Sequence, residues 1–181
     1  FSLNINYSQL KNSKNTSYDR IVCLNSTSRL LPFTNNSVDR IIALESAQHF
    51  KRLDKFISES QRILSSNGIL TLAIPVVTEH VSTIKDLGIL SLTWTSEHFT
   101  FDHVISIIEK LGLTIENTRM IGKNVYTPMA DYYMKNRESL KKKILTEYPN
   151  YAEKILFNSI RKMKQVSENE TIDYALIKCR V

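Results

Sequence analysis

Glycine is scarce in this sequence of 181 residues: only Gly68, Gly88, Gly112 and Gly122 occur, and no two stand close enough to form a glycine-rich loop. Loops of that kind let the backbone approach a bound phosphate or cofactor at a helix N-terminus, so the chain offers no such element. Cysteine is as sparse. Cys23 and Cys179 lie in strand-like segments far apart, which argues against a disulfide framework or a cysteine metal site and fits buried, reduced thiols and a cytoplasmic location. No apolar run approaches the ~20 residues that a membrane-crossing helix needs. Nothing reads as a signal peptide, and because the chain starts at Phe1 rather than Met, the natural N-terminus is expected upstream.

What is present is the pattern of a single α/β domain, for which the length suffices. Its clearest part is 31–75. Asn35-Asn36-Ser37 is turn chemistry, so 32–37 is expected to be a tight surface loop. Arg40-Ile41-Ile42-Ala43-Leu44 is a continuous apolar run, read as a strand buried on both faces of a parallel sheet. Leu53, Phe56, Ile57, Ser60, Ile63 and Leu64 then recur at helical spacing, with Asn67-Gly68 expected to supply a left-handed stop. Ile69-Leu70-Thr71-Leu72-Ala73-Ile74 reads as the next buried strand, ended by Pro75, and the short connections imply a parallel crossover.

Thr95-Ser96-Glu97 is expected to open a helix carrying Phe101, Val104, Ile105, Ile108 and Leu111 and stopped by Gly112. Residues 113–121 alternate as a half-exposed strand should. The stretch 126–166, rich in Lys, Glu, Tyr and Leu, reads as two or three helices broken at Pro149-Asn150, and 172–181 as a last strand. The formal charge of +6 raises nucleic acid as a partner. Yet the excess sits in 135–143 and 161–164, where charges alternate with Leu140, Ile144, Leu145, Ile160 and Met163 in helical period. Solvated helix faces are the favoured reading over a phosphate-tracking surface.

Three segments together resemble one family. Arg29-Leu30-Leu31-Pro32-Phe33-Thr34-Asn35-Asn36-Ser37-Val38-Asp39, Ile42-Ala43-Leu44-Glu45-Ser46-Ala47-Gln48-His49-Phe50 and Phe56-Ile57-Ser58-Glu59-Ser60-Gln61-Arg62-Ile63-Leu64-Ser65-Ser66-Asn67-Gly68-Ile69-Leu70 look like successive parts of a class I S-adenosylmethionine-dependent methyltransferase of the group acting on sterols, tocopherols and sugars. The resemblance implies a Rossmann-like sheet with an antiparallel last strand near Tyr174-Ala175-Leu176-Ile177-Lys178, and a helical cap inserted at 126–166 of one domain spanning 1–181. Ser2-Leu3-Asn4-Ile5-Asn6-Tyr7-Ser8-Gln9-Leu10 looks like the end of the family's second strand and the start of the following helix. The first strand and its glycine-rich turn are therefore expected before Phe1, and a missing N-terminal segment or a second copy of the chain would complete the sheet.

The same resemblance places cofactor contacts at Asn4, Ser26, Thr27, Leu44 and Glu45. Asn4 stands where the family usually has an acid for the ribose hydroxyls, and a carboxamide accepts through one oxygen without charge. Asn25-Ser26-Thr27-Ser28 replaces a frequent acid near the adenine; a hydroxyl there could bond the base, or the segment is simply a polar loop.

Glu45, Ser46, Gln48 and His49 leave the carboxyl end of a strand, where open α/β sheets bind ligands. His49 suits a proton-abstracting base, since an ordinary imidazole titrates near ~6.5, or else it caps the next helix. Glu45 is the second catalytic candidate. Pro75 replaces an acid that some members carry after the fifth strand. His80, His98 and His103 lack metal-ligand spacing and are read as structural. Trp94, Tyr126, Tyr132 and Tyr133 lie where the cap would begin, and either line a substrate pocket or pack the cap. The resemblance thus implies methyl transfer from S-adenosylmethionine to a small-molecule acceptor without a metal. The alternative is a methyltransferase-like binding module that has lost its cofactor.

Overall fold

The computed structural model describes residues 1–14, 21–78, 87–94 and 97–181. Two sheets organise it. Strand β1 (Ser2–Asn4), helix α1 (Tyr7–Lys14) and β2 (Cys23–Asn25) form a small parallel pair. Four further strands follow: β3 (Val38–Leu44), β4 (Leu64–Val77), β5 (Thr114–Met120) and β6 (Ile172–Arg180), arranged in the order β3-β4-β6-β5. β3 and β4 are parallel, and β6 runs antiparallel to both β4 and β5.

The helices fall on the two faces of this sheet as the period of two in each strand dictates. Leu70, Leu72, Ile74 and Val76 of β4, with Ala175, Ile177 and Cys179 of β6 and Ala43 of β3, point to one side. There α2 (Leu53–Ile63) and α4 (Phe101–Lys110) cover them with Phe56, Ile57, Val104 and Ile108. The alternate residues Ala73 and Val77, with Ile172 and Tyr174, face a short α3 (Leu90–Thr93) and two long helices, α5 (Gly122–Glu147) and α6 (Asn150–Glu168).

Several expectations need correction. β3 is buried on one face only: Ile42 is 74% and Leu44 66% exposed, because α5 and α6 lie over β4 and β6 and no described element covers this end of the second face. An apolar run cannot reveal that its second face lacks a cover. Helix α2 stops at Ile63, with Leu64 already extended, so Asn67-Gly68 is not its stop. Asn67 takes φ 64° within β4, and Gly68 allows the close approach, since a Cβ there would lie 2.8 Å from the Ser65 carbonyl oxygen. Pro75 does not end β4, which pairs with β6 as far as Val77 opposite Ile172. The Ala73 carbonyl, two residues earlier on the same side, accepts from the Glu45 amide just past β3, so at Pro75 no β3 carbonyl calls for an N–H.

Helix α4 opens at Thr100, whose hydroxyl accepts from the His103 amide at 3.2 Å; Thr95 and Ser96 lie outside the described residues. Gly112, at φ 80°, does close it. The stretch 126–166 resolves into the two helices α5 and α6 broken at Pro149, packed into a hairpin around Ala130, Tyr133, Ile160 and Phe157.

Candidate functional site

The carboxyl ends of β3 and β4 meet the start of β6 and of α5, and Glu45 stands at their junction. Directly after β3 the chain turns sharply: Glu45 adopts φ 50°, a left-handed conformation that costs a non-glycine residue free energy and is found mostly where the surroundings impose it. Its amide donates to the Ala73 carbonyl at 3.1 Å, which holds the turn against β4. A single turn of 3-10 helix, Ala47–His49, follows. Gln48 is 4% exposed, donates from Nε2 to Glu45 Oε2 at 2.9 Å, and accepts the Glu97 amide on its backbone carbonyl at 2.8 Å. Gln48 therefore fixes the carboxylate to the turn that carries it.

Two tyrosines back this carboxylate. Tyr174, on β6 opposite Pro75, turns its hydroxyl to Glu45. Tyr126, one turn into α5, meets Tyr174 edge-on with ring centres 6.2 Å apart. Burial first, and then the neighbouring Glu45 charge, push both phenols well above the ordinary tyrosine range, so both rings are neutral hydroxyl carriers. The approach of α5 to β6 depends on Gly122, whose amide donates to Asp173 Oδ1 at 2.7 Å; a Cβ there would lie 3.0 Å from the Asp173 Cα. Trp94 packs in the same apolar layer as Tyr126 and Tyr174 and meets His98 edge-on at 5.2 Å.

The structure thus brings together Glu45, Gln48 and Tyr126 of the candidates, with Trp94 in the adjoining apolar layer. Ser46 and His49 occupy the same turn, where the His49 amide donates to the Ser46 carbonyl at 3.0 Å and the His49 ring faces outward. Leu44 presents its exposed side chain beside them. Asn4, Ser26 and Thr27 form a second group at the ends of β1 and β2. Asn4 Oδ1 accepts the Asn6 amide at 2.8 Å, Asn4 Nδ2 donates to Gln9 at 2.9 Å, Ser26 Oγ donates to the Leu30 carbonyl at 3.0 Å, and Thr27 Oγ1 accepts the Arg29 amide at 3.4 Å.

Tyr132 and Tyr133 do not join the site. Tyr132 is 63% exposed, and Tyr133 is buried inside the helical hairpin with its hydroxyl 3.2 Å from Glu153. Helical rise places Tyr133 about 10 Å along α5 from Tyr126. His80 lies outside the described residues, and His103 stacks on Phe99. Among the described residues no group of three or more His, Cys, Asp or Glu side chains is placed to hold a metal ion. Tyr174 escaped sequence reasoning. Its signal was strand direction: an antiparallel last strand starts where the parallel strands end, so its first residues face the ligand end of the sheet.

This fold is also found among known proteins. Residues 1–72 match the methyltransferase domain family. The cyclopropane synthase MmaA2 of Mycobacterium tuberculosis superposes with a TM-score of 0.82 over 99% of this chain and 68% of its own, at 16% identity. This is a methyltransferase fold. The mycolic acid cyclopropane synthase CmaA1, complexed with S-adenosylhomocysteine and CTAB, gives 0.80 over 99% of this chain and 68% of its own, at 16% identity. The phosphoethanolamine N-methyltransferase 2 of Haemonchus contortus, in complex with phosphomonomethylethanolamine and S-adenosylhomocysteine, gives 0.77 over 94% of this chain but 39% of its own, at 15% identity. No curated protein sequence matches the chain. Among the described residues β1 pairs only with β2, and β3 only with β4.

Proposed function

We propose that this chain forms the acceptor side of an S-adenosylmethionine-dependent methyltransferase that acts on a small molecule. The observation that carries the reading is the Glu45 turn: a carboxylate on a left-handed backbone, fixed by Gln48 and backed by two neutral tyrosines, at the ligand end of a methyltransferase sheet. When bound, the cofactor would supply a sulfonium methyl for in-line displacement. The residues present fit it in part. Asn4 Oδ1 keeps one lone pair beyond the Asn6 amide for a ribose hydroxyl, and exposed Leu44 offers an apolar face beside Glu45. Glu45 and the Tyr174 hydroxyl would then orient the acceptor, and His49 would take its proton if the nucleophile carries one.

Competence requires a strand between β1 and β3 in this reading, because the glycine-rich turn of the fold would sit at that strand's end. The second reading is a binding module without chemistry. It is favoured by the Asn4 carboxamide, which is already engaged at both ends by Asn6 and Gln9.

Isothermal titration of S-adenosylhomocysteine into this chain, and into a version extended to the native start, separates these. We expect no measurable binding to the short chain and micromolar or tighter binding to the extended one. Equal binding by both would refute the need for the extra strand, and no binding by either would favour the module. In the extended protein, His49→Ala should lower turnover far more than cofactor affinity. Unchanged turnover would remove His49 from the chemistry.

A further inference from the structure

The far end of the α5–α6 hairpin is apolar where it should be polar. Between residues 145 and 156 every large apolar or aromatic side chain is exposed: Leu145 by 37%, Tyr148 by 59%, Tyr151 by 65%, Ile155 by 41% and Leu156 by 39%. The hairpin's own core does not need them, since Tyr133, Leu140, Ile144, Phe157 and Ile160 already fill it. The sheet does not reach them either. Helix α5 touches β6 at its first residues, through the Ile121 amide on the Tyr174 carbonyl and Gly122 on Asp173. The 26 residues of α5 then carry the chain about 39 Å to the tip.

Charge sorts the candidate occupants. Lys141, Lys142, Lys143 and Lys154 lie in the same stretch of the hairpin, with Lys142, Lys143 and Lys154 exposed. The acids in the same stretch are Glu147 and Glu153, and Glu153 is buried and paired with Arg137 at 2.8 Å. A second copy docking through the same tip would bring these lysines face to face, which opposes isologous pairing. An anionic surface has the opposite requirement. Exposed tyrosines and branched apolar residues in one stretch with exposed lysines are the composition of an interfacial membrane contact, with rings and aliphatic groups entering the headgroup layer.

We propose that the hairpin tip, residues 141–156, docks the protein on an anionic lipid surface through Leu145, Tyr148, Tyr151 and Ile155, with Lys142, Lys143 and Lys154 on the headgroups. Each lysine near such a surface strengthens binding roughly fivefold, and salt screens that attraction.

Co-sedimentation with phosphatidylcholine vesicles, pure or carrying about 30% phosphatidylglycerol, tests it at about 0.05 M and about 0.5 M salt. Binding is expected to the anionic vesicles only, weakening at high salt. The variant Y148S/Y151S/I155S should lower the partition roughly tenfold or more, as should K142E/K143E, while K110E, on α4, leaves it unchanged. Circular dichroism should show all three variants as helical as the parent, since the substituted side chains are exposed. Absence of binding to anionic vesicles at low salt overturns the proposal, and so does binding that the tip variants do not weaken. A concentration-dependent dimer, seen by sedimentation velocity and lost in Y148S/Y151S/I155S, also overturns it, and assigns the tip to a second copy.

Discussion

Arg62 and Glu59, one helical turn apart on α2, form a two-point ion pair with both nitrogen–oxygen distances at 2.8 Å. The same guanidinium donates to the Leu31 and Phe33 carbonyls and to Asn35 Oδ1, while Glu59 accepts the Leu31 amide at 2.8 Å. One planar fork therefore ties the loop before β3 to the helix after it, a geometry that lysine cannot copy. Arg62→Lys should lower the melting midpoint by roughly 3–6 °C, measured by thermal circular dichroism. The Arg62 hydrogen bond holds the Glu59 carboxyl below its usual range. Because the folded value is depressed, this contribution is present above the unfolded glutamate value near ~4.3 and fades as pH falls through the folded one. The gap between parent and Arg62→Lys should therefore narrow at acid pH; a gap independent of pH would show that Glu59 is not the partner that matters.

The Tyr126 and Tyr174 phenols respond at the other end of the pH scale. Both are raised, burial being the larger cause. A raised folded value means that stability is fully present below the unfolded tyrosine value near ~10 and is lost as pH rises toward the folded one. Ultraviolet titration of the phenolate band should show these two, together with Tyr133, which burial and Glu153 also raise, as the late-ionising members of the eight tyrosines. In Y126F/Y174F that late component should shrink to the share of Tyr133; an undiminished late component would place the late phenols elsewhere.

Thiol chemistry offers an independent reading of burial. Cys179 is fully buried on β6, with its thiol donating to the Leu70 carbonyl at 3.5 Å, and burial raises its pKa to about 11. Cys23 is half-buried on β2. A thiol reagent at neutral pH should label one cysteine in the native protein and the second only in denaturant. Rapid labelling of Cys179→Ser at one site and of Cys23→Ser at none identifies the two. Fast reaction of both thiols in the parent would contradict the burial of β6.

The one-sided burial of β3 gives a further contrast. Leu72, fully buried on β4, should cost about 2–5 kcal/mol on truncation to alanine. Ile42→Thr, on the exposed face of β3, should stay within about 0.5 kcal/mol in this chain. Chemical denaturation measures both. A large loss at Ile42 would mean that its face is covered after all.

Much of this fold was legible because it is written in local chemistry. The stripe Leu53, Phe56, Ile57, Ser60, Ile63 is a helix face whether or not its partner is known, and all five are buried as that spacing requires. Pro149 between two charged amphipathic stretches marks a helix break for the same reason. The errors fell where the outcome depended on a distant segment. Ile42 and Leu44 are apolar, but their exposure depends on which helices lie over the sheet. Pro75 is a strand breaker only if a neighbour needs its N–H, and β3 ends before reaching it. At the site, residues on one turn such as Glu45, Ser46, Gln48 and His49 could be read together, whereas the pairing of Tyr126 and Tyr174 with Glu45 joins segments that sequence keeps far apart.

By itself the sequence determined the α/β alternation, the parallel crossover from β3 to β4, the resemblance to methyltransferases and a helical stretch broken at Pro149-Asn150 before the last strand. Periodicity, turn residues and short connections encode these within a dozen or so residues. Only the tertiary structure decided which aromatics face Glu45 and which fill the hairpin, and that Gln48 fixes the carboxylate while Tyr132 stays outside. It also decided that the hairpin ends in an exposed apolar tip. Those outcomes follow from strand direction and helix placement, which set what each side chain meets after the local pattern is complete.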